Sequence, residues 1–430
     1  MVLAALAAVG AVEAVPTANY DRSKIHPYTL EDPLAFADGT KLRSVADWPR
    51  RRQEILGIFA REMYGQPPPA PEALVADLVD VKTNCAGYGV RRQYRMYFRA
   101  NRTGPCVNWL VETPRFAKGP VPVILLLNYR GNHELFTDED IPVMQAWSRQ
   151  NANTVGHRAT AATRSQQQRT DSASVFPVGM ILARGYAVAT ACYCEVSPDP
   201  TWKEAAPYDD PNFAYTGVFE LWGPRDPGRA DNPTALGAWA WALSRGLDLC
   251  ERLPEIDAKR AVVTGCSRLA KAALVAAARD ERFAVCVPNQ TGGGGVPLAK
   301  RNFGENVATE MAFFPHWYCK AYGKYAEAPW KTLTFDQHLL LAAVAPRALL
   351  VQGFESDWFD PEGEYLACRA AAPVWTFLGK GTMPDTGRPE PFSTSAVGAA
   401  FGYVWRSQAH GISSHDWMWM LDFADGVLKR

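Results

Sequence analysis

The stretch V262-V-T-G-C-S-R-L-A-K-A-A-L274 decides how this chain is read. Val262, Val263 and Thr264 are β-formers, Gly265-Cys266-Ser267-Arg268 breaks the run, and the alanines and leucines after it favour a helix. A sharp strand-to-helix turn carrying a serine is the context of a nucleophile elbow. There the hydroxyl is exposed at the top of a sheet, and the helix N-terminus turns free N–H groups toward developing negative charge. The spacing is Gly265-x-Ser267, with Leu269 where a second glycine often stands. The competing reading is a serine that only caps the helix.

Outward from this turn, strands and helices alternate. The run VPVILLLN (121–128) is fully apolar, as in a strand covered on both faces. FPVGMILARG (176–185) reads as a helix and YAVATACYC (186–194) as a strand. NPTALGAWAWALSRGLDLCERL (232–253) reads as a long helix opened by Asn232, with Pro233 at its first position. RAVVTG (260–265), FAVCVP (283–288), RALLVQG (347–353) and VWTFLG (374–379) are read as strands, and DWMWMLDFADGVLKR (416–430) as a closing helix. Three earlier segments, ALVADLVDV (73–81), YGVRRQYRMYFRA (88–100) and CVNWLVETP (106–114), read as further strands after a Pro-rich connection at 64–72. Strands alternating with helices imply a mainly parallel sheet covered on both faces. The expected fold is an α/β-hydrolase three-layer sandwich with an N-terminal β extension, one domain over 16–430.

Composition limits the function. Of 430 residues, 47% are hydrophobic, and 45 basic residues balance 45 acidic ones. A net charge of zero gives no support for nucleic acid or an anionic membrane as partner. Residues 1–15, MVLAALAAVGAVEAV, resemble the apolar core of a secretory signal ending at Val12-Glu13-Ala14, although no basic residue precedes them. Export to a secreted or periplasmic location is therefore expected, as a monomer. Nine cysteines form no zinc pattern, and neither metal nor cofactor is expected. Cys192 and Cys194 fall on one face of a predicted strand, while Cys250, Cys266 and Cys286 read as small buried hydrophobes.

A serine nucleophile needs a base and an acid, which in this fold follow in the order Ser, acid, His. Only His410 and His415 come late enough; both lie in WRSQAHGISSHDW (405–417), and His410, beside Gly411, is the freer to reach across the sheet. RALLVQGFESDWFDPEGE (347–364) supplies Asp357 as the favoured acid, with Asp360 and Glu355 as alternatives; Asp360-Pro361 could equally open a helix. Arg268 and Lys271 put two cations beside the serine, which suits an acidic or strongly polar sugar substrate.

Gly265-Cys266-Ser267-Arg268-x-x-Lys271 resembles the signature of the glucuronoyl esterases, carbohydrate esterase family fifteen, and of their bacterial branch in particular. The resemblance continues through NYRGNHE (128–134), RGYAVATACY (184–193), RNFGENV (301–307), FFPHWYC (313–319), FDQHLLLAAVAPRALLV (335–351), DWFDPEGEYL (357–366) and HDWMWMLDFAD (415–425). It implies cleavage of esters between the carboxyl of (4-O-methyl-)glucuronic acid and an alcohol, as in lignin–glucuronoxylan links. It also implies Ser267 as nucleophile, His410 as base, Arg268 at the oxyanion, and Lys271, Glu305, Trp358 and Gln290 in contact with substrate. Two departures stand out. Ala270 replaces a glycine, and Gln290 stands where many members carry the catalytic glutamate, so the acid returns to the Asp357 region. The rival readings are an acetyl xylan-type esterase, a peptidase on the same fold, and a non-catalytic glycan-binding protein.

Overall fold

The structure is a computed structural model that describes residues 16–149, 154–168, 174–201, 210, 212–407 and 409–429. The expected signal segment, 1–15, lies outside them. The chain forms β1 (Val75–Asn84), β2 (Gly89–Tyr97), β3 (Cys106–Pro114), β4 (Val121–Asn128), a small hairpin of β5 (Thr154–Val155) and β6 (Arg158–Ala159), then β7 (Ala187–Cys192), β8 (Ile256–Cys266), β9 (Phe283–Asn289), β10 (Ala348–Phe354) and β11 (Phe401–Arg406). Nine of these make one sheet in the order β1-β2-β3-β7-β4-β8-β9-β10-β11. The pairs from β1 to β7 are antiparallel, and every pair from β7 to β11 is parallel.

The apolar run of β4 shows why the sheet sits between two helical layers. Val123, Leu125 and Leu127 point into a core shared with helices Ala235–Cys250 and Arg268–Arg279. Ile124 and Leu126, alternating with them, enter a second core with Val178–Ala183 and Ser414–Leu428. This is the α/β-hydrolase three-layer sandwich. Parallel strands bring the ends of β4, β8, β9, β10 and β11 to one edge, where loop residues converge.

Three expected elements differ. Residues 374–379 are no strand; Pro373–Phe377 is a short helix, and the last strand is β11. Thr234, not Asn232, caps the long helix: its hydroxyl accepts from Gly237 N at 3.1 Å, while the Asn232 amide donates to the carbonyls of Asp226 and Arg229 in the preceding turn. The strand at 186–194 stops at Cys192, and Cys194 lies in the helical turn Tyr193–Val196. Cys250, Cys266 and Cys286 are buried thiols as expected, and no disulfide joins the described cysteine side chains.

Candidate active site

The elbow is built by close packing. Strand β8 ends at Cys266, and Ser267 takes φ 55°, ψ −129° before the helix Arg268–Arg279 begins. A Cβ on Gly265 would lie 2.5 Å from the Leu269 carbonyl oxygen, so only glycine lets strand and helix meet this closely. Ser267 N donates to Asn289 O at 2.9 Å, which ties the elbow to the end of β9. The Ser267 carbonyl accepts from Ala270 N and Lys271 N at 2.9 and 3.1 Å. The amides of Arg268 and Leu269 stand ahead of those first helical bonds, at the positive end of the helix. Tyr129, just past β4, donates its hydroxyl to Cys266 O at 2.7 Å and walls the other side.

His410 lies in the loop after β11. Its Nδ1 is 2.8 Å from Gln290 Oε1, and the same oxygen accepts from Gly411 N at 3.0 Å. Gln290 Nε2 donates to Gly411 O at 3.0 Å, so the amide pairs with a peptide group in the one orientation that satisfies both ends. The oxygen therefore faces Nδ1, Nδ1 carries the proton, and Nε2 is left as the basic nitrogen. Phe354 and Phe359 stack against the ring at 5.3 and 4.7 Å, although the residue keeps an exposed edge. Burial, followed by the charges of Arg268 and Arg406, pushes the imidazole down to about 4.

A buried ion pair holds this loop. Arg406 donates from Nε to Asp416 Oδ2 at 2.8 Å, from Nη1 to Ala409 O at 3.0 Å and from Nη2 to Gly411 O. Asp416 also accepts from Ser413 N and Oγ, closing the cap of the last helix. Sequence reading missed both residues; an arginine at the end of an apolar strand was the available signal. His415 faces Phe392 and Trp419 on the surface.

The expected carboxylates are not brought to His410. Asp357 is exposed and turns toward Arg22, 3.5 Å away. Asp360 caps the helix Pro361–Ala371 through Gly363 N and binds Arg301 at 2.8 Å, so its oxygens are already committed. Glu355 is exposed, with its amide on Arg406 O. Among the described residues no carboxylate is ion-paired with His410, whose Nδ1 meets Gln290 instead.

The two cations are held by buried acids. Arg268 Nη1 lies 2.8 Å from Asp199 Oδ2, and its guanidinium sits over the Trp317 ring at 5.1 Å. Asp199 is completely buried and also receives Arg149, Tyr193, His316 and Trp317. Burial pushes its carboxyl up, but Arg149, Arg268 and His316 outweigh that and hold it well below the usual carboxylate range. Lys271 Nζ is 3.2 Å from Glu305 and 3.9 Å from Glu310. Burial raises Glu310 to about 7, against the pull of Lys271 and with the help of Glu305. Trp358 is half-buried, and its carbonyl accepts from Glu305 N at 2.8 Å, whereas Gln290, also expected to touch substrate, is fully buried with its amide committed to His410 and Gly411. No group of three His, Cys, Asp or Glu among the described residues could hold a metal.

Comparison with known proteins gives the family. The sequence model of fungal glucuronyl esterases matches residues 219–379. A carbohydrate esterase of unknown prokaryotic origin is 34% identical over 412 residues, spanning 95% of this chain and 91% of its own. A glucuronoyl esterase structure from Solibacter usitatus superposes with a TM-score of 0.85 at 32% identity, covering 95% of this chain and all of that one. A 4-O-methyl-glucuronoyl methylesterase of Cerrena unicolor is 28% identical over 84% of this chain and 63% of that longer protein. The chain belongs to the glucuronoyl esterases, carbohydrate esterase family fifteen.

Proposed function

We propose that Ser267 and His410 perform the family's reaction, hydrolysis of esters of (4-O-methyl-)glucuronic acid, through an acyl-enzyme. The observation that carries this reading is a serine at φ 55° on a strand-to-helix turn, its amide held by Asn289, while the next residue, Gln290, engages the Nδ1–H of a late-loop histidine. His410 Nε2 takes the Ser267 proton as Oγ bonds to the uronoyl carbon. The oxyanion meets the amides at the helix start and the Arg268 guanidinium. The C–O bond to the alcohol breaks, and the alcohol leaves with the proton from Nε2. Water then attacks the acyl carbon, gives a proton to Nε2, and Ser267 Oγ is reprotonated as the uronic acid departs.

Lys271, Glu305 and Trp358 are proposed to hold the sugar hydroxyls and ring, and lignin–glucuronoxylan esters are the proposed substrate. An acetyl ester has no sugar on its acyl side for Lys271 and Glu305 to hold. No helix among the described residues is long and apolar enough to cross a membrane; a secreted or periplasmic monomer acting on plant cell-wall polymer is the proposed setting. Ser267→Ala should cut kcat on benzyl glucuronate by about 10⁴-fold or more while the fold persists. Turnover close to wild type in that variant would overturn the mechanism.

A further inference from the structure

We infer that Gln290 is the positioning residue for His410, its neutral amide oxygen taking the place of a catalytic carboxylate so that the reaction runs without a charged third member. The inference rests on the esterase reading above and goes beyond it.

Gln290 is fully buried and sits at φ 53°, a strained conformation for a side chain of this size. The chain accepts that conformation where Gln290 N donates to Gln352 O at 2.6 Å, and the side chain is thereby aimed at the His410 loop. Adjacent residues thus join the two reacting groups: Asn289 O holds Ser267 N, and Gln290 Oε1 holds His410 Nδ1. The seat is matched to an amide and not to an acid. It offers one donor, Gly411 N, and one acceptor, Gly411 O, and a carboxylate would set its second oxygen against that carbonyl.

The charges around the ring agree. From the helix after the elbow comes Arg268, countered by Asp199; from β11 comes Arg406, countered by Asp416. From the segment after β10 come Phe354 and Phe359, with Glu355 exposed and Asp357 and Asp360 drawn off by Arg22 and Arg301. An imidazolium formed in the reaction faces two arginines and, among the described residues, no directly paired carboxylate. The same surroundings keep the resting imidazole neutral down to about pH 4, so the base stays available in mildly acidic medium.

The test is the pH profile of kcat/KM on benzyl glucuronate for the full chain, with Gln290→Ala, Gln290→Glu, Asp357→Asn and Ser267→Ala, each checked for an intact thermal transition. Wild type should lose activity only toward pH 4. Gln290→Ala should lose about 10²-fold or more in kcat with KM little changed, since His410 is no longer held in its tautomer. Gln290→Glu should move the acidic limb upward by about one pH unit or more, because a carboxylate favours the imidazolium. Asp357→Asn should stay within about twofold of wild type. Full activity in Gln290→Ala, an unmoved limb in Gln290→Glu, or a collapse in Asp357→Asn would each overturn the inference. A Ser267→Ala that still turns over would instead strike the esterase mechanism itself, whatever the Gln290 variants do.

Discussion

Ser267 holds a backbone conformation that suits glycine, and the helix N-terminus it opens is useful only because the chain accepts that strain. Ser267→Gly should therefore be more stable than Ser267→Ala by about 1 kcal/mol, with both inactive; denaturant unfolding of the pair measures it. Equal stabilities would show that the elbow is unstrained. Asp199 makes a second prediction at this scale. Asn in its place leaves Arg268 and Arg149 without their shared counter-charge, which should cost about 3–5 kcal/mol. Retention of full stability and activity in Asp199→Asn would contradict the clamp. Ser267 and His410 could be named as candidates because a turn motif and chain order point to them. The Asp199 clamp was not legible, since its partners Arg149, Tyr193, Arg268, His316 and Trp317 are scattered along the chain and only folding brings them together.

At the scale of elements, the parallel strands β4, β7, β8, β9 and β10 were found, because buried parallel strands are short apolar runs flanked by turn residues, while the β5–β6 hairpin was not. The last strand was missed for the same reason in reverse. VWTFLG and FGYVWR are both short and apolar, and periodicity cannot separate a buried helical turn from a buried strand. Pro373 was the available signal, since proline is at home in the first turn of a helix. The long helix repeats the lesson, as Asn232-Pro233 looks like a start yet Thr234 is the cap. Thr234 Oγ1 also donates to Tyr64 O at 2.7 Å. Thr234→Ala should thus lose about 1–2 kcal/mol and Thr234→Ser much less, read by denaturant unfolding.

Over the whole molecule, buried titratable groups set how stability follows pH. Burial pushes His133 and His338 down to about 4 from 6.5, so the unfolded chain binds their protons first. Stability from these groups falls as pH drops through that window. Burial raises Glu195 and Glu310 to about 7 from 4.5, and Asp336 to about 6 from 3.8. There the folded chain binds protons first, and acidification adds stability until the unfolded carboxyls also protonate. The two slopes oppose each other between about pH 4.5 and 6.5, so Tm should be nearly flat there. Below the unfolded aspartate value of 3.8, the unfolded chain takes up the proton that folded Asp199 still refuses, so the stability from its ion pairs drains away and Tm should drop steeply. A steady decline from pH 7 would show that the carboxyls do not offset the histidines.

The proposed function comes down to one chemical claim, that Ser267 and His410 act on an ester of a uronic acid and not on a simple acyl ester. The direct measurement is kcat/KM for benzyl glucuronate beside 4-nitrophenyl acetate, with wild type and Ser267→Ala at equal protein concentration. The structure predicts strong preference for the glucuronate ester and loss of that cleavage in the variant. Cleavage of acetate alone, or silence toward both, would contradict it.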